Sequence, residues 1–299
     1  TMQSELSAAV AGGVTSVCVP PDTNPVIDTP AMVHMVRQRG RRIEKARVYP
    51  LGALTIGLKG EQLTDMATLR DAGCTALSNV DRSIDNTLVM RRAMQYASTF
   101  DLTVFLTALD PWLKGNGCVH EGEVSTRLGL PAIPAAAEIV ALARELALIE
   151  TTGTRGYITQ LSCARSVSKI GEAKARGLSV TAGVSAHHLH LSEKDIGEFD
   201  TRCHVIPPLR GSVDRDALRE GLASGILDVI CSDHQPHGLD AKLAPFSESA
   251  PGIAGLETLL SFSLKLVNES VLSLSDALAK VTANPAQILG IDIGQLGTG

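Results

Sequence analysis

Aromatic side chains are scarce in this sequence: one tryptophan, three tyrosines and five phenylalanines in 299 residues. Positive charge is not in excess either, since 27 Lys and Arg face 32 Asp and Glu for a formal net charge of −5. Nucleic-acid recognition draws on basic stripes and aromatic stacking platforms, so this composition argues against it. No apolar run approaches the roughly 18 residues of a membrane span. Residues 1–13, TMQSELSAAVAGG, lack the basic flank and apolar stretch of a signal peptide, so a cytoplasmic protein without a membrane partner is expected. Paired CxxC motifs are missing. The six cysteines, Cys18, Cys74, Cys118, Cys163, Cys203 and Cys231, are scattered, several within apolar runs, and read as buried reduced thiols rather than a disulfide frame or zinc knot. Glycine-rich phosphate loops and the GxSxG nucleophile elbow are absent as well.

What the chain does have is apolar material. Hydrophobic residues make up 44% of it and mean hydropathy is +0.14, enough for a large core and incompatible with disorder. Length alone admits two domains or a single α/β barrel of roughly 250 residues.

Alternation decides between them. Short runs rich in Val, Ile, Leu and Cys predict strands near 14–19, 46–54, 74–78, 103–108, 156–161, 178–184 and 226–232. Helical spacing predicts helices over 31–39, 62–71, 87–100, 135–150, 166–176, 215–224, 256–268 and 274–281. Asp85 or Asn86 is placed to cap the third helix, and Ser273 or Ser275 the last. Seven βα units in series without a linker predict one domain over 1–299, an α/β (β/α)8 TIM-type barrel with one strand unaccounted for. SELSAAVAGG reads as the end of a helix with a glycine stop, which places the remaining strand before Thr1. The closing IGQLGTG (293–299) is expected to open a further β segment, so a small flanking β subdomain is expected to be incomplete too.

In such barrels chemistry sits at the C-terminal ends of the strands. Those ends carry Asp22, Asn24, Thr55, Asn79, Val80, Thr107, Gln160, the Ser185-Ala186-His187-His188 run, and Asp233-His234-Gln235-Pro236-His237. The last cluster sets one carboxylate and two imidazoles at a strand terminus, where an Asp either ligates a metal or takes a proton from metal-bound water. A hydrogen-bonded loop with a structural Asp is the alternative. For the HHLH run a structural role is expected, because alternate residues of an extended segment point to opposite faces. His34 and His120 are expected to serve surface or packing roles.

Six segments, AGGVTSVCVPPDTNPVID (11–28), HEGEVSTRLGLP (120–131), IPPLR (206–210), SDHQPH (232–237), SAPGIAGLET (249–258) and TANPAQILG (282–290), occur in the order and spacing of dihydroorotases. Over essentially its whole length the chain thus resembles the dihydroorotase family of the amidohydrolase superfamily. The resemblance implies a (β/α)8 barrel with a small β subdomain built from both termini. It also implies a zinc hydrolase of pyrimidine biosynthesis that interconverts carbamoyl aspartate and dihydroorotate. The family holds metal with an HxH pair on the first strand, a carboxylate or carboxylated lysine on the fourth, one His each on the fifth and sixth, and an Asp on the eighth. By that correspondence the fourth-strand position falls at Asn79 or Val80, the fifth at Thr107 and the sixth at Gln160, and only Asp233 is kept.

Zinc prefers imidazole, thiolate or carboxylate, and neutral amide and hydroxyl oxygens are weak ligands for it. A binuclear site is therefore not expected. The family's substrate-holding positions map to Asp22 and Ile206, where a carboxylate repels an anionic substrate and an alkyl group offers no hydrogen bond. Asn24 and His237 match the family and also suit a TNP turn and a Pro-containing turn. The resulting expectation is a non-catalytic homologue without a cofactor. Resemblance to the dihydroorotase-like chains that accompany aspartate carbamoyltransferase implies a partner, the carbamoyltransferase catalytic chains, and a homo- or hetero-oligomer. An active hydrolase with a single zinc, held by an HxH pair before Thr1 and by Asp233, is the rival reading. A metal-free small-molecule binding protein is the third.

Overall fold

The computed structural model describes residues 1–295, so the expectation placed on 296–299 lies outside the described residues. Helix α1 (Met2–Ala11) leads through Gly12 and Gly13 into β1 (Ser16–Val19), which is followed by α2 (Pro30–Ile43) and β2 (Arg47–Pro50). Next come β3 (Gly52–Ala53), α3 (Met66–Ala72), β4 (Ala76–Ser78), α4 (Thr87–Thr99) and β5 (Thr103–Thr107). A long excursion carries α5 (Pro111–Lys114), β6 (Val119–His120), α6 (Glu123–Leu128) and β7 (Ala132–Ile133). The alternation resumes with α7 (Ala135–Thr152), β8 (Gly156–Thr159), α8 (Ala164–Ala175), β9 (Val180–Ser185), α9 (Ser212–Ala223) and β10 (Val229–Cys231). Helices α10 (Leu259–Asn268), α11 (Leu274–Ala279) and α12 (Ala283–Leu289) complete the described chain.

All barrel strands are parallel. β1 pairs with β2, and the order β3-β4-β5-β8-β9-β10 continues the wall. The predicted single strand over 46–54 is divided at Leu51, because Arg47–Pro50 bonds to β1 on one side whereas Gly52–Ala53 bonds to β4 on the other. Among the described residues, with that run counted once, seven strands form the wall of a (β/α)8-type barrel. Among the described residues no strand joins β10 to β1; Glu5 of α1 instead reaches His234 beyond β10 (2.8 Å).

Packing follows the expected layers. Strand residues Leu77, Val104, Ile158, Ala182, Val184 and Ile230 meet the inner helix faces, among them Val33 and Val36 of α2, Met94 of α4, Leu142 and Ile149 of α7 and Ile170 of α8, in one continuous core. A satellite cluster of Cys118, Val119, Val124, Ile196 and Phe246 seats the excursion. The α1 stop is a close approach: a Cβ on Gly12 would lie 2.7 Å from the Glu257 Cα, so only glycine fits there. Helix limits move by a few residues from expectation. α3 begins at Met66 behind an Asp65 cap, Asn86 caps α4, and Ser273 caps α11.

Three expectations are corrected. The two-residue strands β6 and β7 form an extra parallel pair that no periodicity announces. The cysteines are all free, but Cys18 is exposed and Cys203 and Cys231 only partly covered. The HHLH run is a 3-10 turn over Ala186–Leu189 rather than extended, so His187 and His188 lie on one side, ring centroids 4.7 Å apart, both buried.

Candidate functional site

Three strand ends share a backbone device. Val80 after β4, Gln160 after β8 and Asp233 after β10 all have positive φ (56°, 50° and 45°), a conformation costing about 1–2 kcal/mol for residues with a Cβ. At Val80 the turn is held by its own amide, which donates to Ser78 Oγ (2.9 Å). These left-handed steps set the side chains that follow each strand.

Asp233 and Gln160 meet directly. The Gln160 amide donates to Asp233 Oδ1, and Gln235 Nε2 donates to the same oxygen at 2.9 Å. The carboxyl group is almost wholly buried, its side chain 4% exposed, and burial pushes its pKa up to about 6 against the opposing pull of the Gln235 and Gln160 hydrogen bonds.

Asp233 Oδ2 faces His187 Nε2 at 3.7 Å. Behind it, His188 Nε2–H donates to the Pro208 carbonyl (3.2 Å), which leaves His188 Nδ1 to accept from Ser185 Oγ–H (2.6 Å). The Ser185 oxygen then accepts from His187 Nε2–H (3.3 Å). Burial, reinforced by the neighbouring His188, holds His187 well below its ordinary pKa, and burial takes His188 down to about 4, so both rings are neutral links in a buried chain. Periodicity reasoning missed this contact; the signal available was the serine two residues before His187.

The other corresponding positions are occupied differently. Asn79 Oδ1 accepts from Thr55 Oγ1 (2.9 Å) and Nδ2 donates to the Arg82 carbonyl (3.0 Å), which pins the loop after β4. Thr107 Oγ1 lies 3.4 Å from Thr159 Oγ1. Asn79, Val80 and Thr107 line a cavity of about 30 Å³ with Arg144 and the buried Glu145. Asp22 and Asn24 are exposed at the barrel mouth, where partial desolvation and the nearby Asp81 raise the Asp22 pKa against the pull of Arg82. Ile206 is half-buried. His237 hydrogen-bonds the Pro251 carbonyl (2.8 Å), as expected of a turn histidine.

One reading of a histidine changes, and for His120 the packing role is the one of its two expected roles that the structure shows. His234 does not converge with Asp233: its Nε2 donates to Glu5, and its Nδ1 accepts from the amides of Gly255 (3.1 Å) and Leu256 (3.2 Å). His120 is no free surface group, since Arg210 Nη1 donates to its Nδ1 (3.1 Å) and burial, with the Arg210 charge, lowers its pKa. Arg210 belongs to a buried network. Its Nε donates to Ser162 Oγ (2.9 Å), and Glu138 Oε2 lies 3.8 Å from Nη2 while accepting from the Ser162 amide and hydroxyl, with the Cys163 amide donating to Glu138 Oε1 (3.2 Å).

A family profile described as "Dihydro-orotase-like" matches residues 1–166, and one for the "Amidohydrolase family" matches 135–299. By fold, the chain is similar to the L-hydantoinase (dihydropyrimidinase) of Arthrobacter aurescens, with a TM-score of 0.85 at 21% identity over 100% of this chain and 69% of that one. Dihydroorotase of Saccharomyces cerevisiae follows at TM-score 0.75 and 17% identity, over 96% and 79%. These likenesses define an amidohydrolase-type barrel. Sequence goes further: a dihydroorotase-like protein of Pseudomonas aeruginosa is 46% identical over 100% of this chain and 70% of its own length, and a dihydroorotase of Syntrophobacter fumaroxidans 44% identical over 99% and 67%. The chain belongs to the dihydroorotase-like family of the amidohydrolase superfamily.

The family's zinc does not fit the donors present. Among the described residues no three His, Cys, Asp or Glu side chains converge. Asn79, Thr107 and Gln160 offer neutral atoms already engaged within the chain, and the Asp233 carboxylate is held by two amides.

Proposed function

We propose that this chain is a non-catalytic dihydroorotase-like protein of pyrimidine metabolism that serves as a structural subunit. The hydrogen bond from Gln160 to Asp233 carries the reading: an amide N–H of the chain occupies the negative Oδ1 of the carboxylate, where the family resemblance implies a cation. Each neighbouring position is turned to holding loops, so the strand ends brace the barrel rather than a reacting group.

An assembly role draws support from the surface. Trp112 is 83% exposed, Leu239 86% and Leu243 80%, well above what isolated packing favours for such side chains. Leu239 and Leu243 flank Lys242, whose ammonium is tied to the carbonyls of Thr201 (3.1 Å) and Ala250 (2.7 Å), and exposed Phe199 precedes the neighbouring turn over Thr201–Cys203. The partner we propose is the aspartate carbamoyltransferase catalytic chain.

Two measurements test this. Metal analysis of the purified protein is expected to give far less than one zinc per chain, with dihydroorotate hydrolysis at background. Stoichiometric zinc together with enzyme-like turnover would establish the single-metal hydrolase instead. Co-purification with the carbamoyltransferase is expected to be lost in a Trp112→Ser, Leu239→Ser double variant, and unchanged assembly would remove that surface from the proposal.

A further inference from the structure

Positive charge, sparse in the chain as a whole, is concentrated on one helix and its exit. Residues 37–47 contain Arg37, Arg39, Arg41, Arg42, Lys45 and Arg47 against the single carboxylate Glu44. Elsewhere arginines find acidic partners: Arg70 pairs with Asp71, Arg144 with Glu145, Arg202 with Asp200 and Arg219 with Glu269. Among the described residues, none of the six cations of 37–47 has such a partner.

Four side chains of α2 at helical spacing, His34, Arg37, Gln38 and Arg41, line a groove with about 300 Å³ of free space. The stripe spans about 10 Å, the rise of seven helical residues. Arg37 is fixed in advance. Its Nη1 donates to the Ala72 carbonyl (2.8 Å), and the guanidinium lies over Gly73, where a Cβ would come within 2.6 Å of Cζ. Its remaining N–H groups are free to grip an anion at little entropic cost.

We propose that this outward stripe of α2 is a binding site for linked phosphate groups, with Arg37 and Arg41 holding the anionic oxygens and His34 and Gln38 donating beside them. Guanidinium forks match phosphate oxygens in pairs. The stripe's four side chains are a histidine, two arginines and a glutamine, with no aliphatic side chain and no Phe, Tyr or Trp among them, which favours a compact polyanion over a protein docking surface, whose centre calls for such residues. The shared chemistry is an oligophosphate, met in inorganic tripolyphosphate or in the tail of a nucleoside triphosphate.

Calorimetric titration of the full chain at fixed ionic strength tests the site, with sodium tripolyphosphate, ATP, orthophosphate and a short DNA duplex as probes. Tripolyphosphate is expected to bind, to shift the His34 imidazole resonances, and to bind at least tenfold more weakly to Arg41→Ala, whose exposed side chain leaves the core intact. Orthophosphate is expected to bind more weakly still. Equal affinity for tripolyphosphate and ATP assigns the site to the phosphate tail, and tighter ATP binding with the same loss in Arg41→Ala adds a nucleoside contact. Overturning results are no binding of either at millimolar concentration, unchanged binding in Arg41→Ala, or a preference for the duplex at equal phosphate concentration.

Discussion

Asp233 shows how a single side chain is balanced at the mouth of this barrel. Its folded pKa of about 6 lies above the ordinary carboxylate value of 3.8, so between those limits the folded state holds a proton that the unfolded state has released. Its contribution to stability therefore falls as pH rises through that window. Asp233→Asn keeps an acceptor for Gln160 and removes the buried charge. At pH 7.5 the variant is expected to be more stable than the parent by about 2–3 kcal/mol, and near pH 3.5 the two should coincide. Urea unfolding at both values checks this, and a destabilised variant at pH 7.5 would show that the charge is held by an attraction stronger than its burial. Glu138 is the opposite case. It balances the fully buried Arg210, so Glu138→Gln, which turns an N–H toward the Ser162 and Cys163 donors, is expected to cost about 3–5 kcal/mol in the same measurement.

The residues that compose these pairs were unevenly legible. Asp233 stood out because it closes an apolar strand beside histidines, and Asn79, Thr107 and Gln160 could be placed at strand ends by counting. Their partners could not. Gln160 and Asp233 lie 73 positions apart, and the positive φ at both positions, which sets their side chains toward each other, leaves no mark on spacing. Nor did composition reveal that His234 turns away toward Glu5, a contact across 229 positions.

Among the elements, the seven strands of the wall were readable because each is a short apolar run between turn residues, and β4 is buried on both faces as parallel strands are, whereas β1 and β2 stay partly exposed. The pair β6 and β7 was not, since strands of two residues are too short to show a period. The division of 46–54 also escaped, because a change of pairing partner alters neither hydrophobicity nor propensity. Helix α2 offers a test of packing at this scale. Gly40 in its last turns lies against β2, and an added Cβ would come within 2.7 Å of Val48 Cγ2. Helix propensity alone favours Gly40→Ala by about 1 kcal/mol. We expect the clash to win, with a net loss of about 1–2 kcal/mol in urea unfolding, and restoration when Val48→Ala is added. A stabilised Gly40→Ala would mean that α2 shifts outward freely.

For the whole molecule, buried histidines set the response to acid. His188 and His204 are each brought from 6.5 to about 4, chiefly by burial and for His204 also by Lys242, and burial holds His187 well below its ordinary value. A group with a depressed folded pKa takes up its proton on unfolding, so the stability it leaves intact at neutral pH is lost as pH falls below 6.5. His120 and His190 are lowered as well, and these five rings oppose four carboxyls of the reverse sign, Asp22, Glu145, Glu193 and Asp233, with His187, His188 and His204 the most strongly displaced of the rings. The urea midpoint is expected to fall steadily from pH 7 to pH 4.5, and to fall less in His204→Gln, whose partner Ser249 (2.9 Å) still finds a side-chain amide. A flat profile would mean that the rings gain solvent before the fold is lost.

The amide that meets Asp233 is covalently part of the chain, and that alters the law governing the contact. A carboxylate satisfied by a dissociable cation is stabilised in proportion to the logarithm of the cation's concentration, and chelation or scarcity weakens it. Gln160 has no concentration to vary: once β8 and β10 are in place it is present at one equivalent, in every compartment and growth condition. The pairing at this end of the barrel is thereby uncoupled from mass action, and its strength follows from the fold alone.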